Sequence, residues 1–147
     1  MNLIANKKAG LRFAELKSFQ AGMELFGGET KALRAKQGSL EGARVLVRGG
    51  EAFLVGMTIP PYQTANTPET YDAERTRRLL LKKEEIAELA DAETKKGLTI
   101  IPFEVYTAGR YLKVRVAIAR GKKQTDRRED LKRLDAQREM QRALRPK

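Results

Sequence analysis

The stretch Ala43-Arg-Val-Leu-Val-Arg-Gly-Gly-Glu-Ala-Phe-Leu-Val-Gly-Met57 decides the fold class. Two runs rich in Val, Leu and Phe flank the pair Gly49-Gly50. A type I′ turn needs positive φ at both central residues, a conformation that glycine adopts without steric cost. The stretch therefore predicts an antiparallel β-hairpin.

Further strand signals lie on both sides of this hairpin. Residues 98–106 and 111–119 flank Ala108-Gly109 and predict a second hairpin. Apolar residues alternate along its last strand at Leu112, Val114, Val116 and Ile118. Pro102 inside the partner strand predicts an edge or a bulge. Residues 11–26 predict one long bent strand, or two.

Two segments carry helix signals. Residues 29–36 are rich in helix formers and predict a short helix. A longer helix is predicted for residues 75–90, with Asp72 as its N-cap and a helix stop at Gly97. A break near Lys82-Lys83, with a second helix starting after it, is the alternative.

The element order predicts a mainly β fold. About six mostly antiparallel strands, with two to three peripheral α-helices, favour a small closed β-barrel. An α+β sandwich is the alternative. We expect residues 1–119 to form this domain and residues 120–147 to form a basic C-terminal tail.

The charge points to a polyanionic partner. The 147 residues carry 30 Lys/Arg and 19 Asp/Glu, a net charge of +11, and the tail from residue 120 holds 11 of these cations against 5 acidic residues. The chain has no Cys and no His, which excludes disulfides, thiolate or imidazole metal ligands and His triads. No apolar run approaches the length of about 20 residues that spans a bilayer. We therefore expect a cytoplasmic nucleic-acid-binding protein with no catalytic residue, metal, cofactor, membrane or small-molecule substrate.

Several basic segments are candidate phosphate sites. Five cations cluster over residues 75–83, where a phosphate site and a solvated face are equally supported by the residues alone. Tyr111, Lys113 and Arg115 share one strand face suited to stacking and pairing with RNA. In the tail the apolar residues do not form one stripe, so we expect it to be disordered alone and to fold against a partner.

Five sequence blocks together resemble one family. The stretch Gly22-Met-Glu-Leu-Phe-Gly-Gly-Glu-Thr-Lys-Ala-Leu-Arg34 resembles the signature G-x-x-L-x-G-x-E-V-K-S-L-R of the SsrA-binding proteins, also called small protein B. Later blocks follow in the family's order at residues 50–54, 75–81, 97–102 and 119–128. The resemblance extends from about residue 6 to residue 139.

The resemblance implies a fold and a function. The family has an OB-like β-barrel with peripheral helices and a C-terminal tail. It binds the tRNA-like domain of transfer-messenger RNA (SsrA RNA) and brings this RNA to ribosomes stalled on truncated mRNA. The tail enters the empty mRNA channel and becomes helical there, and translation of the RNA's own reading frame then appends a degradation tag. The family is not enzymatic.

The resemblance also implies site residues. Glu29 matches the signature carboxylate that contacts the RNA. Leu80 and Lys82 match a second contact block, in which Lys82 departs from the usual Asn or His. The predicted RNA-binding residues are Glu29, Lys31, Arg34, Arg75, Arg78, Leu80, Lys82, Lys122 and Lys123. The predicted ribosome-binding residues of the tail are Asp126, Arg127, Arg128, Lys132, Arg133 and Arg138. The second hypothesis is a structural ribosome-associated protein that coats ribosomal RNA. The third is an RNA-modifying enzyme.

Overall fold

The computed structural model describes residues 2–63, 67–122 and 124–144. In these ranges seven strands form one antiparallel sheet with the order β1-β6-β7-β2-β5-β4-β3. The elements are β1 (Asn2–Ala5), α1 (Lys7–Arg12), β2 (Phe13–Met23), α2 (Gly27–Arg34), β3 (Arg44–Arg48), β4 (Glu51–Val55), β5 (Arg77–Leu80), α3 (Lys83–Glu93), β6 (Leu98–Ala108), β7 (Tyr111–Gly121) and α4 (Gln124–Leu144).

Both predicted hairpins are present. Gly49 and Gly50 have φ of +62° and +76°, as a two-residue type I′ turn between β3 and β4 requires. In the second hairpin β6 pairs with β7, and the register shifts between Pro102 and Glu104. The prediction of a bulge at this proline is therefore confirmed.

The predicted closed barrel of about six strands is wrong, because the sheet has seven strands and is open. In the described part of the chain, β1 and β3 are the sheet edges and no ladder joins them. Helix α3 packs against both β3 and β6. The Val47 backbone N–H at the β3 edge donates to Glu93 Oε1 of α3 at 2.7 Å. A helix side chain thus takes the place of the strand partner that closure would need.

Two apolar clusters lie on opposite faces of the β6–β7 hairpin. The main core combines Leu33 of α2 and Leu89 of α3 with sheet residues such as Leu54 and Val114, all with 0% exposure. A smaller cluster lies under α1 and contains Ala9, Ile101, Phe103, Ala117 and Ala119. Helix α1 was not predicted; it covers the second face of this hairpin.

The helix predicted over residues 75–90 is also wrong in its first half, where the chain forms β5. Arg77 and Leu79 are buried while Arg78 and Leu80 are exposed, which is the two-residue alternation of a strand. Pairing with β2 on one side and β4 on the other overrides the helix propensity of these residues. The alternative of a helix starting after Lys82-Lys83 is close to α3.

The predicted tail, residues 120–147, contains the end of β7 and the whole of α4. Strand β7 extends to Gly121, and α4 starts at Gln124. Every α4 side chain that the structure describes is exposed, including Leu131, Leu134 and Met140. The expectation that this tail orders only on the ribosome stays a prediction. Among the described residues, no helix has the length and apolarity that crossing a membrane takes.

Candidate nucleic-acid interface

A groove surrounds Leu80 at the end of β5. The Leu80 side chain is 48% exposed, whereas its neighbour Leu79 is 2% exposed. Gly22 on β2 pairs with Leu80, and a Cβ at this glycine would lie 3.3 Å from Leu80 Cβ. Two depressions of about 540 and 420 Å³ share Gly22, Leu80 and Lys113. We call this continuous surface the Leu80 groove.

The groove combines an apolar centre with basic walls. Lys82, Lys113 and Arg110 line it, and in the part of the chain that the structure describes none of them forms an ion pair. Arg78 differs, because Glu24 at 2.8 Å and Glu51 at 3.3 Å neutralise it. A surface of this composition suits RNA, whose phosphates need cations and whose bases need apolar contacts.

Hairpin and helix residues extend the basic surface. Tyr111, with 72% exposure, lines the groove beside Lys113, as the strand pattern predicted. Arg115 is held elsewhere, by Glu15 and by Glu104 at 3.0 Å. Lys31 and Arg34 are exposed on α2, and Arg34 Nη2 donates to the Arg110 carbonyl at 2.7 Å.

Glu29 lies beneath this surface rather than on it. Its side chain is 1% exposed, and its carboxylate accepts hydrogen bonds from Phe26, Arg75 and Arg77. The Phe26 N–H donates at 2.8 Å, the Tyr71 hydroxyl lies at 3.1 Å, and Arg75 Nε donates at 3.1 Å. Arg77 donates through Nε at 3.0 Å and Nη2 at 2.6 Å. These donors occupy both carboxylate oxygens, so Glu29 holds α2 against residues 71–77.

Arg77 is a fully buried cation that the sequence analysis did not single out as structural. It is 0% exposed. Besides Glu29, its guanidinium donates to the carbonyls of Met57 at 2.8 Å, Arg75 at 2.9 Å and Ala73 at 3.0 Å. A buried charge persists when it is paired and hydrogen-bonded in this way. The Glu29–Arg77 pair is therefore part of the domain interior.

Arg75 connects this buried pair to the surface. Its guanidinium bonds Glu29, and Nη2 also donates to the Glu24 carbonyl at 3.2 Å. The guanidinium carbon lies 3.9 Å from the centre of the Phe26 ring. Protein partners thus fix the orientation of Arg75, which positions the neighbouring ring.

The hydrogen bonds at Glu29 make stability depend on pH. Burial by itself raises the pKa of Glu29, but hydrogen bonds from Arg75, the Phe26 N–H and Arg77 outweigh it and hold the pKa below its ordinary value of 4.5. The unfolded chain therefore binds the proton more readily, so this contribution to stability is present above about pH 4.5 and is lost as pH falls through the lower folded pKa.

We expect the free energy of unfolding to fall as the pH drops from 4.5 towards the folded pKa of Glu29. Urea unfolding at a series of acidic pH values measures this slope, and the chemical shift of the Glu29 carboxyl carbon reports its protonation. A Glu29 that titrates at its ordinary pKa in the folded protein would contradict the assignment.

A second basic surface lies at the far end of β2. Gly22 pairs with Lys113 beside the groove, whereas Phe13 pairs with Gly121 next to the tail. Nine residues of strand separate these ends by about 30 Å. There Lys122 Nζ donates to the Gly10 carbonyl at 2.9 Å.

The tail cations lie on this second surface. A depression of about 670 Å³ between α1 and α4 is lined by Lys7, Arg133 and Arg138. Arg128 and Lys132 are also exposed on α4. Asp126 and Arg127 belong to α4, but their side chains lie outside the described part of the chain, as does the whole of Lys123. The structure therefore separates the predicted site residues into a groove set, a buried set and a tail set.

The described residues contain no group of three or more acidic side chains that could hold a metal ion.

The sequence matches the family described as SmpB protein over residues 3–146. It is 42% identical over 139 residues to the SsrA-binding protein of Microcystis aeruginosa, covering 95% of this chain and 90% of that protein. The SsrA-binding protein of Alkalilimnicola ehrlichii is 44% identical over 147 residues, covering 99% of this chain and 92% of that protein. A solved chain described as "tmRNA-SmpB: a journey to the center of the bacterial ribosome" is 33% identical, with a TM-score of 0.69, and covers 87% of this chain and 93% of that one. The chain therefore belongs to the SmpB protein family of SsrA-binding, non-enzymatic proteins of bacterial trans-translation.

Proposed function

We propose that this protein binds the tRNA-like domain of tmRNA through the Leu80 groove and delivers the RNA to ribosomes stalled on truncated mRNA. The observation that carries the proposal is a half-exposed leucine between Lys82, Lys113 and Arg110. A leucine that stays exposed while its strand neighbour is buried is suited to an apolar contact with a base or ribose. The lysines beside it are suited to the phosphates.

The two basic surfaces support separate roles, RNA binding by the groove and ribosome binding by the tail. RNA occupies the groove, with Lys31 and Arg34 on the adjoining helix. The tail is about 30 Å away along β2, so it stays accessible while the groove is filled. On the ribosome, the tail enters the mRNA channel. It contacts the channel and the decoding site through Asp126, Arg127, Arg128, Lys132, Arg133 and Arg138. The protein acts in the cytoplasm, where ribosomes translate.

The predicted RNA residues then fall into two roles. Leu80, Lys82, Lys31 and Arg34 contact the RNA directly. Glu29 and Arg75 act through position, because their polar atoms are engaged within the protein. Arg78 is neutralised by two carboxylates and becomes a contact only if the RNA displaces one of them. Lys122, which bonds the end of α1, belongs with the tail surface.

We expect Leu80→Asp to weaken binding of a labelled tRNA-like RNA by at least about tenfold, because a carboxylate among phosphates adds repulsion. Leu16→Asp is the matched control, since Leu16 is 54% exposed on the same sheet and lies outside the groove. Lys113→Ala is expected to lower the slope of log affinity against log salt by about 1. Fluorescence anisotropy in the presence of excess ribosomal RNA fragments measures all three.

Two results would count against the proposal. Equal weakening by Leu80→Asp and Leu16→Asp would remove the groove as the binding surface. Equal affinity for the tRNA-like RNA and for ribosomal RNA fragments would favour a protein that coats ribosomal RNA.

A further inference from the structure

A small cleft lies on the other side of the first turn of α2 from the Leu80 groove. It has a volume of about 120 Å³. Phe26 and Tyr62, at its mouth, are 58% and 43% exposed. The aromatic and proline side chains that line it are Phe26, Pro60, Pro61, Tyr62, Pro68 and Tyr71. We call it the Phe26 cleft.

Phe26 occupies a position where folding alone favours another residue. It is the N-cap of α2 and makes no side-chain capping bond. Ser, Thr, Asp and Asn are preferred there because their oxygens accept from the first helical N–H groups. An exposed phenyl ring at this position contributes no cap and leaves apolar surface in water. Its placement therefore calls for an explanation outside the stability of the helix.

Both the Phe26 backbone and one face of its ring have protein partners. The Arg75 guanidinium lies 3.9 Å from the ring centre, and the Phe26 N–H donates to Glu29 at 2.8 Å. Glu29 also bonds Arg75, so one buried carboxylate holds both the Phe26 backbone and the cation that packs on its ring. A preorganised aromatic surface loses little conformational entropy when a ligand stacks on it.

The chemistry of the cleft selects a flat apolar ligand. Its buried polar atoms are already engaged: the Tyr71 hydroxyl donates to the Ile59 carbonyl at 2.7 Å, and Glu29 is filled by protein donors. The aromatic and proline faces, with the Arg75 guanidinium beside them, are the groups left to contact a ligand. A nucleobase fits these features, because stacking needs a π face rather than particular hydrogen-bond partners.

The cleft is directly next to the groove along the chain. Leu25 and Thr30 line the groove, while Phe26 and Gly28 line the cleft. Only the first turn of α2 separates them. A nucleic-acid strand whose phosphates follow the groove can therefore turn one unpaired base into the cleft.

We infer that the Phe26 cleft is a stacking subsite for one unpaired nucleobase of the RNA held in the Leu80 groove. This inference rests on the proposed function. Phe26 supplies the stacking face, and Arg75, held by Glu29, is its positioning residue. Because the Tyr71 hydroxyl and the Glu29 carboxylate are engaged within the protein, stacking dominates and the subsite accepts different bases with similar affinity.

Substitutions at residue 26 separate the contribution of ring stacking to RNA binding from that of side-chain size. Phe26→Leu keeps an apolar side chain but removes the π face, and is expected to weaken binding of the tRNA-like RNA about 5- to 150-fold. Phe26→Tyr retains the ring and is expected to bind more tightly than Phe26→Leu. Leu16→Ala, at a similarly exposed apolar position, is the control and should bind unchanged. Thermal unfolding of each variant shows that the fold is intact.

A tryptophan reporter gives a direct readout, because the chain has no Trp. In Phe26→Trp the indole fluorescence is expected to be quenched by the stacked base when the RNA binds. In Leu16→Trp the same RNA should bind without quenching. If Phe26→Trp binds the RNA with no quenching, or Phe26→Leu binds as tightly as the parent, the stacking subsite is wrong while the groove stands. If the parent chain does not bind the tRNA-like RNA, the proposed function itself fails.

Discussion

Glu29→Ala is expected to lower the free energy of unfolding by about 3–5 kcal/mol, the cost of leaving one member of a buried ion pair without its partner. The stranded cation is Arg77, which is 0% exposed. Arg75 and the Phe26 N–H lose a partner in the same step. This is a large fraction of the stability of a domain of this size. Urea unfolding followed by circular dichroism measures it.

Matched variants isolate the buried pair. Glu41→Ala removes an exposed ion pair with Lys8 and should leave the free energy of unfolding almost unchanged. Glu29→Met combined with Arg77→Met replaces both charges by apolar groups and should recover part of the lost stability, because no buried charge is left unpaired although three carbonyls lose the Arg77 donor. Parental stability in Glu29→Ala would mean that the carboxylate is not the anchor described here.

This result bears on how the signature carboxylate should be interpreted. The family resemblance implies a direct RNA contact for Glu29, for which alanine would reduce affinity in a fully folded protein. With its oxygens filled by Arg75, Arg77 and the Phe26 N–H, the same substitution acts first on the fold. Affinity must therefore be measured where the variant is still folded, and Leu80→Asp is the cleaner probe of the interface.

Local signals predicted the hairpins but not β5. Paired glycines with positive φ define the β3–β4 turn within the stretch itself. In β5 the alternation is present, but a buried position is taken by Arg77, which a sequence reading assigns to solvent. The partner that allows its burial, Glu29, lies 48 residues away. No short window contains both members of this pair.

The prediction of a closed barrel was wrong for a related reason. Strand count and alternation do not reveal whether the edges of a sheet meet. Here Glu93 of α3 accepts the Val47 N–H and lies beside Arg48 at the β3 edge, a contact between elements 46 residues apart. Helix α1 was missed because its six residues, capped by Asn6, are too few to show a helical period.

The candidate site was predicted in part. The resemblance pointed to Leu80 and Lys82, and the structure places both in the groove. Phe26 was missed because it stands at a variable position of the signature. A signal was present, however: a bulky aromatic residue directly before two glycines at a helix start, where a small polar cap is usual.

Deleting residues 124–147 is expected to abolish tagging on stalled ribosomes while leaving binding of the tRNA-like RNA within a few-fold of the parent. The deletion spares β7, which ends at Gly121, and the groove lies at the other end of β2. It removes eight Lys/Arg and five Asp/Glu, so the general attraction to RNA changes little. Tagging in a reconstituted translation system and anisotropy with the RNA measure the two properties separately.

A point variant distinguishes the contribution of the α4 helix to tagging from that of the tail charges. Leu134→Pro keeps every tail charge. A proline in a helix interior costs about 3 kcal/mol of helix stability. Side-chain pairs on the helix surface contribute about 0.2–0.5 kcal/mol each and do not offset this cost. We expect it to lose tagging and to bind the RNA normally. Leu134→Ala, which preserves helix propensity, is the control and should tag like the parent. Normal tagging by the truncated chain would overturn the role of the tail, and normal tagging by Leu134→Pro alone would show that its charge suffices without a helix.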